Sequence, residues 1–558
     1  MLKGSTLAAI LFVMGAAPVV AQPLVGRNYG RSMVIAQQGI VATSQTLASQ
    51  AGAQILAAGG SAVDAAIAAN AVLSVLEPMM DGPGGDLFVL YWDAKTGKLT
   101  GLNSSGPAPR ALTPQFLSSK GVKTMPASGI HSVTVPGAVR GWAAMHERYG
   151  KLPWRDLFAS AIAYADQGFP LPEAIREQWF TDRLATTGES KRLFLPAGKP
   201  PAIGEIFRNP DLARAYRLIA SEGPDAVYKG KIAAAILATS QSLGGTMTAE
   251  DLAAFSPEWV QPIFIDYRGW RVYELPPNGQ GMAALEMLNI MEASPADPKG
   301  PFTAAELHKR IEAMKLAYSD LHRYNADPRS HYVPVAALLS KDYARKRAAL
   351  IDPNKANCAV AAGDAIGSDT TYLTVVDREG NIASWIQSIY SQFGSGVAVK
   401  GMGFELQNRG AAFTLDRTSP NVLAGGKRPF HTIIPAFMER GDLHIGFGIM
   451  GGANQPLAHA QFVSNLVDYR MNIQQALEAP RFFKSTSAGC ELSIERRVPA
   501  SVIAQLSKLG HKPAVRREYT QEMGRGQAIL RDSKTGVNYA ASDPRADGSA
   551  VPEPIAPR

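Results

Sequence analysis

The clearest pattern of apolar and polar positions runs from Gly367 to Tyr390. Two adjacent threonines follow a small, polar approach, and β-branched and aromatic residues continue as far as Val376. This composition predicts a buried strand. The segment Arg378-Glu379-Gly380-Asn381 predicts a turn, and 382–390 predicts the returning strand. We therefore expect a hairpin whose first buried strand begins close to Thr370.

The pattern of apolar and polar positions predicts both helices and strands in the rest of the chain. Two Ala-rich stretches between Gln45 and Leu76 are divided by Gly59-Gly60-Ser61, where glycine ends one helix and Ser61 caps the next. A strand hairpin is predicted over 87–102, and helices dominate 154–240. Further predictions are a strand at 270–275, a long helix at 303–324, and, among the strands after Thr370, helices at 455–469, 473–477 and 500–509.

The N-terminus has the pattern of an export signal. Lys3 precedes an apolar run from Leu7 to Val20, and small residues follow before Gln22. The apolar core is short for a membrane span, so residues 1–21 predict a secretory signal peptide. A buried N-terminal helix is the alternative. Since no later stretch is apolar for long enough to cross a bilayer, we expect a periplasmic or secreted protein with no membrane partner.

The amino-acid composition further limits the class of protein to which the chain can belong. The 558 residues, 46% of them hydrophobic, suit a globular protein of one or two domains. The net charge of +8 is modest, and Arg345-Lys346-Arg347 predicts a solvated helix face. Without aromatic residues interleaved in a basic stripe, we expect no nucleic-acid partner. The cysteines Cys358 and Cys490 are too few for a disulfide framework or a Cys-rich metal site, and the sequence leaves their pairing open.

Thr370 is a candidate nucleophile because of its place at the head of the predicted strand. If the Asp369–Thr370 bond is cut, Thr370 gains an α-amine beside its own hydroxyl. Such an amine has a pKa of about 8, so part of it is neutral and can serve as general base. The alternative is that the two threonines are ordinary strand composition.

A family resemblance supports the interpretation of Thr370 as a nucleophile. Ordered blocks spread over nearly the whole chain after residue 21 resemble γ-glutamyltranspeptidases. The resemblance implies an α+β fold, a four-layer αββα sandwich of the N-terminal nucleophile hydrolase type. It also implies self-cleavage into a large subunit, 22–369, and a small subunit, 370–558, that form an interlocked heterodimer without a cofactor. The blocks include Gly59–Ala66, Leu76-Glu77-Pro78, Gly82–Gly85, Ser132–Val139, Leu316–Asp320, Thr370–Asp377, Phe393–Gly396, Lys427-Arg428-Pro429, Gly451-Gly452, Ala479-Pro480-Arg481 and Ala541–Arg545.

The resemblance also assigns catalytic roles. It makes Thr370 the nucleophile and gives the backbone N–H groups of Gly451 and Gly452 to the oxyanion hole. Ser388 and Thr371 would position the nucleophile. Each has a plainer alternative: a structural glycine turn, a strand serine and a packing threonine. The stretch 446–451 also spells G-x-G-x-x-G, but no surrounding βαβ unit supports a dinucleotide site.

Several expected substrate-binding positions depart from the family pattern. Asn103 stands where the family has the arginine that holds a glutamyl α-carboxylate, and Ala412 stands where it has the aspartate that holds the α-amine. A buried ammonium without a counter-charge is unfavourable, so we expect an acyl group that lacks it. Arg409 could bind a terminal carboxylate or form a structural ion pair. The expected substrate-binding residues are Asn103, Tyr390, Asn408, Arg409, His431 and Thr432.

These departures resemble the acylase branch of the family, which includes glutaryl-cephalosporin acylases. We therefore expect an amide hydrolase for glutaryl- or γ-glutamyl-type acyl groups. The alternatives are a γ-glutamyltranspeptidase proper acting on glutathione, an oxamate amidohydrolase-like enzyme, and a secreted binding protein that has lost the chemistry. The chain has no G-x-S-x-G, no H-E-x-x-H and no phosphate-binding loop, so serine hydrolases, zinc hydrolases and P-loop enzymes are disfavoured, and no metal is expected.

Overall fold

The computed structural model describes residues 29–182, 184, 187–360 and 369–555. The predicted signal peptide, 1–21, lies outside the described residues. Among those described, no helix has the length and apolarity that crossing a membrane requires.

Two seven-stranded antiparallel sheets form the centre of the molecule. Sheet I has the order β1-β18-β17-β13-β12-β9-β8, and sheet II has the order β19-β2-β10-β11-β3-β4-β7. Two small sheets, β14-β15-β16 and β5-β6, lie apart from them. The strands are β1 Val34–Ala36, β2 Ile40–Thr43, β3 Asp86–Asp93, β4 Lys98–Ser104, β5 Phe169–Pro170, β6 Ile206–Phe207, β7 Glu258–Val260, β8 Ile263–Tyr267, β9 Trp270–Glu274, β10 Asp369–Val376, β11 Ile382–Tyr390, β12 Ala436–Arg440, β13 Leu443–Met450, β14 Phe482–Phe483, β15 Glu491–Glu495, β16 Lys512–Arg516, β17 Arg525–Asp532, β18 Val537–Ser542 and β19 Ser549–Pro552.

Eighteen α-helices are present among the described residues, and nine of them pack on the outer faces of the two large sheets. The eighteen are α1 Thr46–Ala57, α2 Ala62–Leu76, α3 Pro114–Ser119, α4 Ala138–Tyr149, α5 Ala159–Gln167, α6 Glu173–Glu177, α7 Gly188–Phe194, α8 Pro210–Glu222, α9 Asp225–Tyr228, α10 Lys231–Ser242, α11 Ala249–Ala253, α12 Gly281–Glu292, α13 Ala304–Tyr324, α14 Val335–Leu338, α15 Lys341–Ala348, α16 Gln455–Val467, α17 Ile473–Glu478 and α18 Ala500–Lys508.

Three hydrophobic cores separate the layers. One lies between the two sheets and contains Phe88, Tyr372 and Phe437. A second packs α1, α2, α4, α5 and α8 against sheet II, and a third packs α12, α13, α16 and α17 against sheet I. This order of layers confirms the expected αββα sandwich.

Local sequence signals account for the elements nearest the site. Ser61 accepts a hydrogen bond from the backbone N–H of Asp64, whose carboxylate accepts from the Ser61 N–H, so the predicted cap begins α2. The predicted hairpin is also present, because β10 and β11 pair directly. The strand predicted to begin close to Thr370 is β10, which is described from Asp369, while the preceding residues 361–368 lie outside the described residues.

Other elements depart from the sequence-based expectation. The stretch 154–240 contains the short strand pair β5-β6 as well as helices. The sheet I strand β8 and the almost entirely buried helix α12 were not predicted from the sequence. Because α12 is buried on nearly every side, it lacks the exposed polar face opposite an apolar one on which such predictions depend.

Both sheets mix strands from before and after Thr370. In sheet II, β10 lies between β2 and β11, and in sheet I, β18 pairs with β1. Cys358 and Cys490 also join the two parts in a disulfide that spans 132 residues of sequence. The structure thereby decides a pairing that the sequence left open.

Candidate active site

Thr370 lies at the buried head of β10, with 1% of its surface exposed. The register between β10 and β11 shifts between Asp369 and Thr371, so Thr370 sits at an irregularity in the strand pair. A β-bulge redirects a side chain out of the regular alternation of a sheet. The Thr370 Oγ1 accepts a hydrogen bond from the Nε2 of Gln455, at 3.5 Å.

Gln455 is a site residue that the sequence analysis did not identify. It is the first residue of α16, and its Oε1 accepts a hydrogen bond from the backbone N–H of Ile434, at 3.0 Å. This bond fixes the amide so that its NH₂ group faces Thr370. The only sequence signal is its position at a helix start, three residues after Gly452.

The glycine pair forms the turn between β13 and α16. Gly451 and Gly452 have φ values of 142° and 56°, a region that residues with a Cβ rarely adopt. The Gly452 carbonyl accepts a hydrogen bond from the Nε2 of Gln280, at 2.7 Å, and the Gly451 carbonyl accepts one from the Asn454 N–H, at 3.0 Å. Because both carbonyls are hydrogen-bonded, the backbone of Gly451 and Gly452 is held in one conformation. The same turn brings Gln455 to Thr370.

Thr371 is directed toward a buried carboxylate behind the nucleophile. Its Oγ1 donates to the Oδ2 of Asp81, at 3.1 Å. Asp81 also accepts from the Asn70 side chain and the Gly82 N–H. Burial raises the pKa of Asp81 to about 7, although the hydrogen bonds from Gly82 and Thr371 oppose this shift. Asp81 was missed because it is an isolated acid between two family-like blocks.

Ser388 and Tyr390 end the partner strand beside the nucleophile. Tyr390 pairs with Asp369 across β10 and β11, and Ser388 pairs with Asp86 across β11 and β3. The Ser388 Oγ accepts a hydrogen bond from the Tyr390 N–H, at 2.8 Å. Tyr390 has a φ of 80°, which is unusual for a residue with a side chain and interrupts the extended conformation of β11 at its end.

A second group of expected residues surrounds the Arg409 guanidinium. Arg409 opens the 3₁₀ turn Arg409–Ala412, and its Nη1 donates to the Thr432 Oγ1, at 2.7 Å. The guanidinium lies over the Tyr390 ring, 4.3 Å from its centroid. The structure thus brings Arg409, Thr432 and Tyr390 together at the head of β10.

His431 and Asp86 form a buried pair beside this group. The His431 Nε2 lies 2.9 Å from the Asp86 Oδ2. Burial lowers the pKa of His431 well below its usual range, and Arg409 and Arg428 add to this effect. Burial also raises the pKa of Asp86 to about 7, with Arg409 opposing. His431 is therefore neutral, and it serves Asp86 as a hydrogen-bond donor.

Asn103, Asn408 and Ala412 are the remaining positions that the sequence relates to substrate binding. Asn103 donates to the Oδ1 of Asn278, at 2.9 Å, while Asn408 joins two loops through its bonds to Ser391 and the Ala127 carbonyl. Ala412 is half-buried on the same turn as Arg409. The side chains of Asn103 and Ala412 bring no charge to these positions.

One group of described residues has side chains suited to a metal, namely His308, Glu312 and His511. The His308 Nδ1 and His511 Nε2 are only 2.7 Å apart, at hydrogen-bond distance. The Lys315 ammonium already pairs with Glu312, at 2.7 Å. A neighbouring cation and an internal hydrogen bond indicate a structural polar network. This network was not visible in the sequence because His308 and His511 lie far apart in it.

Comparisons with known proteins agree with this geometry. The sequence profile described as Gamma-glutamyltranspeptidase matches residues 48–553. The Glutathione hydrolase-like YwrD proenzyme of Bacillus subtilis (strain 168) is 37% identical over 93% of this chain and 99% of its own. The Acylase ACY 1 proenzyme of Pseudomonas sp. (strain SE83) is 33% identical over 92% of this chain and 93% of its own.

Among solved structures, the cephalosporin acylase from Bacillus halodurans matches with a TM-score of 0.87. It is 42% identical and covers 96% of this chain and 99% of its own. The profile match, the long relatives and this structural likeness all span the sandwich and the site. The chain therefore belongs to the γ-glutamyltranspeptidase family and is an enzyme of its amidohydrolase and acyltransferase type.

Proposed function

We propose that the protein is a self-processing amide hydrolase whose nucleophile is the hydroxyl of Thr370. The observation that carries this proposal is the buried Thr370 hydroxyl, which meets Gln455 at the turn that also contains Gly451 and Gly452. A hydroxyl and backbone N–H groups in one place are what acyl transfer requires. The segment 361–368, just before the cleavage position, lies outside the described residues.

Processing needs only the chain's own groups and one water. The Thr370 hydroxyl adds to the carbonyl carbon of Asp369, and the peptide C–N bond breaks to leave an ester and a free α-amine. Water then hydrolyses the ester, which releases the Asp369 carboxylate and restores the hydroxyl. The new α-amine, with a pKa of about 8, is partly neutral near neutral pH.

Turnover repeats this chemistry on a substrate. The α-amine accepts the hydroxyl proton while the Thr370 Oγ1 attacks the acyl carbonyl. The N–H groups of Gly451 and Gly452 stabilise the developing oxyanion, and Thr371 and Ser388 hold the strand ends on either side. The leaving amine departs with the proton. Water, or a second amine, then takes the acyl group from Thr370.

Cleavage would divide the protein into subunits 22–369 and 370–558. Each large sheet contains strands from both, so neither fragment contains a complete large sheet. This interleaving supports a stable heterodimer. Because residues 1–21 have the pattern of an export signal, we place the enzyme in the periplasm or outside the cell.

The acyl donor we favour is glutaryl- or γ-glutamyl-like. The uncharged Ala412 offers no counter-charge to an α-ammonium and so favours an acyl chain that lacks one, and the acylase relatives are consistent with this preference. The second candidate is a γ-glutamyltranspeptidase proper, which the relative named as a glutathione hydrolase-like proenzyme supports. Oxamate is a third substrate to assay.

The experiment compares wild type with Thr370→Ala by intact mass, N-terminal sequencing and turnover of glutaryl-cephalosporin, γ-glutamyl-anilide, glutathione and oxamate. Wild type should give a fragment that begins at Thr370, and the variant should be unprocessed and inactive. Thr374→Val is the matched control, because Thr374 is a buried threonine of the same strand. An unbroken chain that turns over amides would contradict the proposal, and an unbroken inactive chain would favour a binding protein.

A further inference from the structure

Arg409 has more hydrogen-bond donors than the protein supplies with acceptors. Its side chain is fully buried, with 0% of its surface exposed. Nη1 donates to Thr432, but Nε and Nη2 have no hydrogen-bond partner among the described residues. Unpaired donors on a buried charged group are unfavourable, and their presence beside an active site indicates a ligand.

Two short series of contacts connect the Arg409 side chain to the catalytic groups. The guanidinium stacks on Tyr390, which pairs with Asp369, the residue directly before Thr370. On its other side, the carbonyl of Thr432 accepts from the Gln280 Nε2, at 2.5 Å, and the same amide donates to Gly452. Two residues, Tyr390 and Asp369, thus connect Arg409 to Thr370. Two others, Thr432 and Gln280, connect it to Gly452.

No carboxylate among the described residues forms an ion pair with Arg409. Asp86 attracts it through space, but the Asp86 oxygens already accept from the Gly106 N–H and the Gln407 Nε2 and face His431. Burial lowers the pKa of Arg409 to about 10, so the guanidinium remains charged at neutral pH. Its charge is thus only partly compensated within the protein.

We infer that the Nε and Nη2 edge of Arg409 binds the terminal carboxylate of the acyl group. These two nitrogens share one edge of the guanidinium, which matches the two oxygens of a carboxylate. The substrate class is then the half-amides of short dicarboxylic acids. This inference rests on the proposed function, since it gives the acyl chain its orientation toward Thr370.

The test uses the processed protein and two acyl anilides of equal length. In valeryl anilide, a methyl group replaces the carboxylate of glutaryl anilide. Arg409→Gln should lower kcat/KM for the glutaryl substrate by about 10- to 100-fold and leave the valeryl value within a few-fold. For the glutaryl substrate, the kcat/KM of Arg409→Lys should lie between that of wild type and that of Arg409→Gln. Equal losses on both substrates, or no loss on either, would overturn the inference.

Arg310→Gln is the matched control for removing a buried arginine. Arg310 lies in α13 and bonds to Glu306, Asn465 and Ser464, away from the site. Its substitution should leave the ratio of glutaryl to valeryl turnover unchanged.

A measurement on the wild type covers the case in which the Arg409 variants do not fold or mature. Glutarate should raise the melting temperature of wild-type protein more than valerate at equal concentration, and equal shifts would count against the carboxylate site. This binding result is separate from the nucleophile. Wild-type protein that binds glutarate selectively but is neither processed nor active would refute the proposed function and retain the carboxylate site.

Discussion

Cys358 and Cys490 form a disulfide whose two halves lie on opposite sides of the proposed cleavage position. Cleavage at Thr370 would therefore leave the two subunits joined by a covalent bond as well as by shared sheets. Their Cα atoms are 5.0 Å apart, within the usual range for disulfides.

The mature enzyme should consequently run as one species on a denaturing gel without reductant and as two fragments with it. Cys490→Ser should give two fragments in both conditions and should lower the free energy of unfolding by about 2–5 kcal/mol. Activity at low temperature should be retained, because the bond is not part of the site. Two separate fragments from wild-type protein without reductant would contradict the covalent link.

Gln455→Met should lower kcat by about 10-fold and change KM little, because the variant loses the hydrogen bond that orients the Thr370 Oγ1. Steady-state kinetics on the processed protein would measure this. Gln461→Met is the matched control, since Gln461 is a buried glutamine of the same helix that bonds to Leu457 and Phe482. If both variants lose activity equally, the effect comes from the helix and not from the bond to Thr370.

Ala412→Asp should shift selectivity toward γ-glutamyl over glutaryl substrates, because the new carboxylate supplies the counter-charge that an α-ammonium requires. The ratio of kcat/KM values for the two substrates should change by about 10-fold. Ala412→Asn, of the same shape without the charge, should leave the ratio close to that of wild type. An unchanged ratio in Ala412→Asp would remove this explanation of selectivity.

Stability should fall as the pH rises from about 5 to about 9. Burial raises the pKa of Glu405 to about 8 and the pKa values of Glu77, Asp81 and Asp86 to about 7. Because these folded-state values lie above the unfolded ones, near 4, the folded protein holds the protons more tightly. Their stabilising contribution is complete below about pH 4 and is lost as the pH passes through 7 to 8.

Thermal unfolding across this pH range would measure the effect. Glu405→Gln should make the melting temperature less dependent on pH, since glutamine mimics the protonated acid at every pH. Glu147→Gln, at an exposed position, should leave the slope unchanged. A wild-type melting temperature that rises over this range would contradict the expectation.

The sequence was sufficient where the physical cause is local. The cap at Ser61, the strand after Thr370 and its return to Tyr390 follow from neighbouring residues, and the structure confirms them. The family-like blocks, each short and distinctive, also led to the αββα sandwich. Buried elements such as α12 escaped prediction because they have no exposed polar face.

The tertiary structure alone decided which distant side chains meet. The bond between Gln455 and Thr370 and the disulfide between Cys358 and Cys490 join positions that no local pattern relates. For Arg409, the sequence left a carboxylate receptor and an ion pair equally open. Its environment decides against the ion pair, because the oxygens of the nearest acid, Asp86, already have other partners. The contacts of a side chain with residues distant in sequence depend on how the layers of the sandwich pack. That packing depends on the whole chain and not on any local pattern.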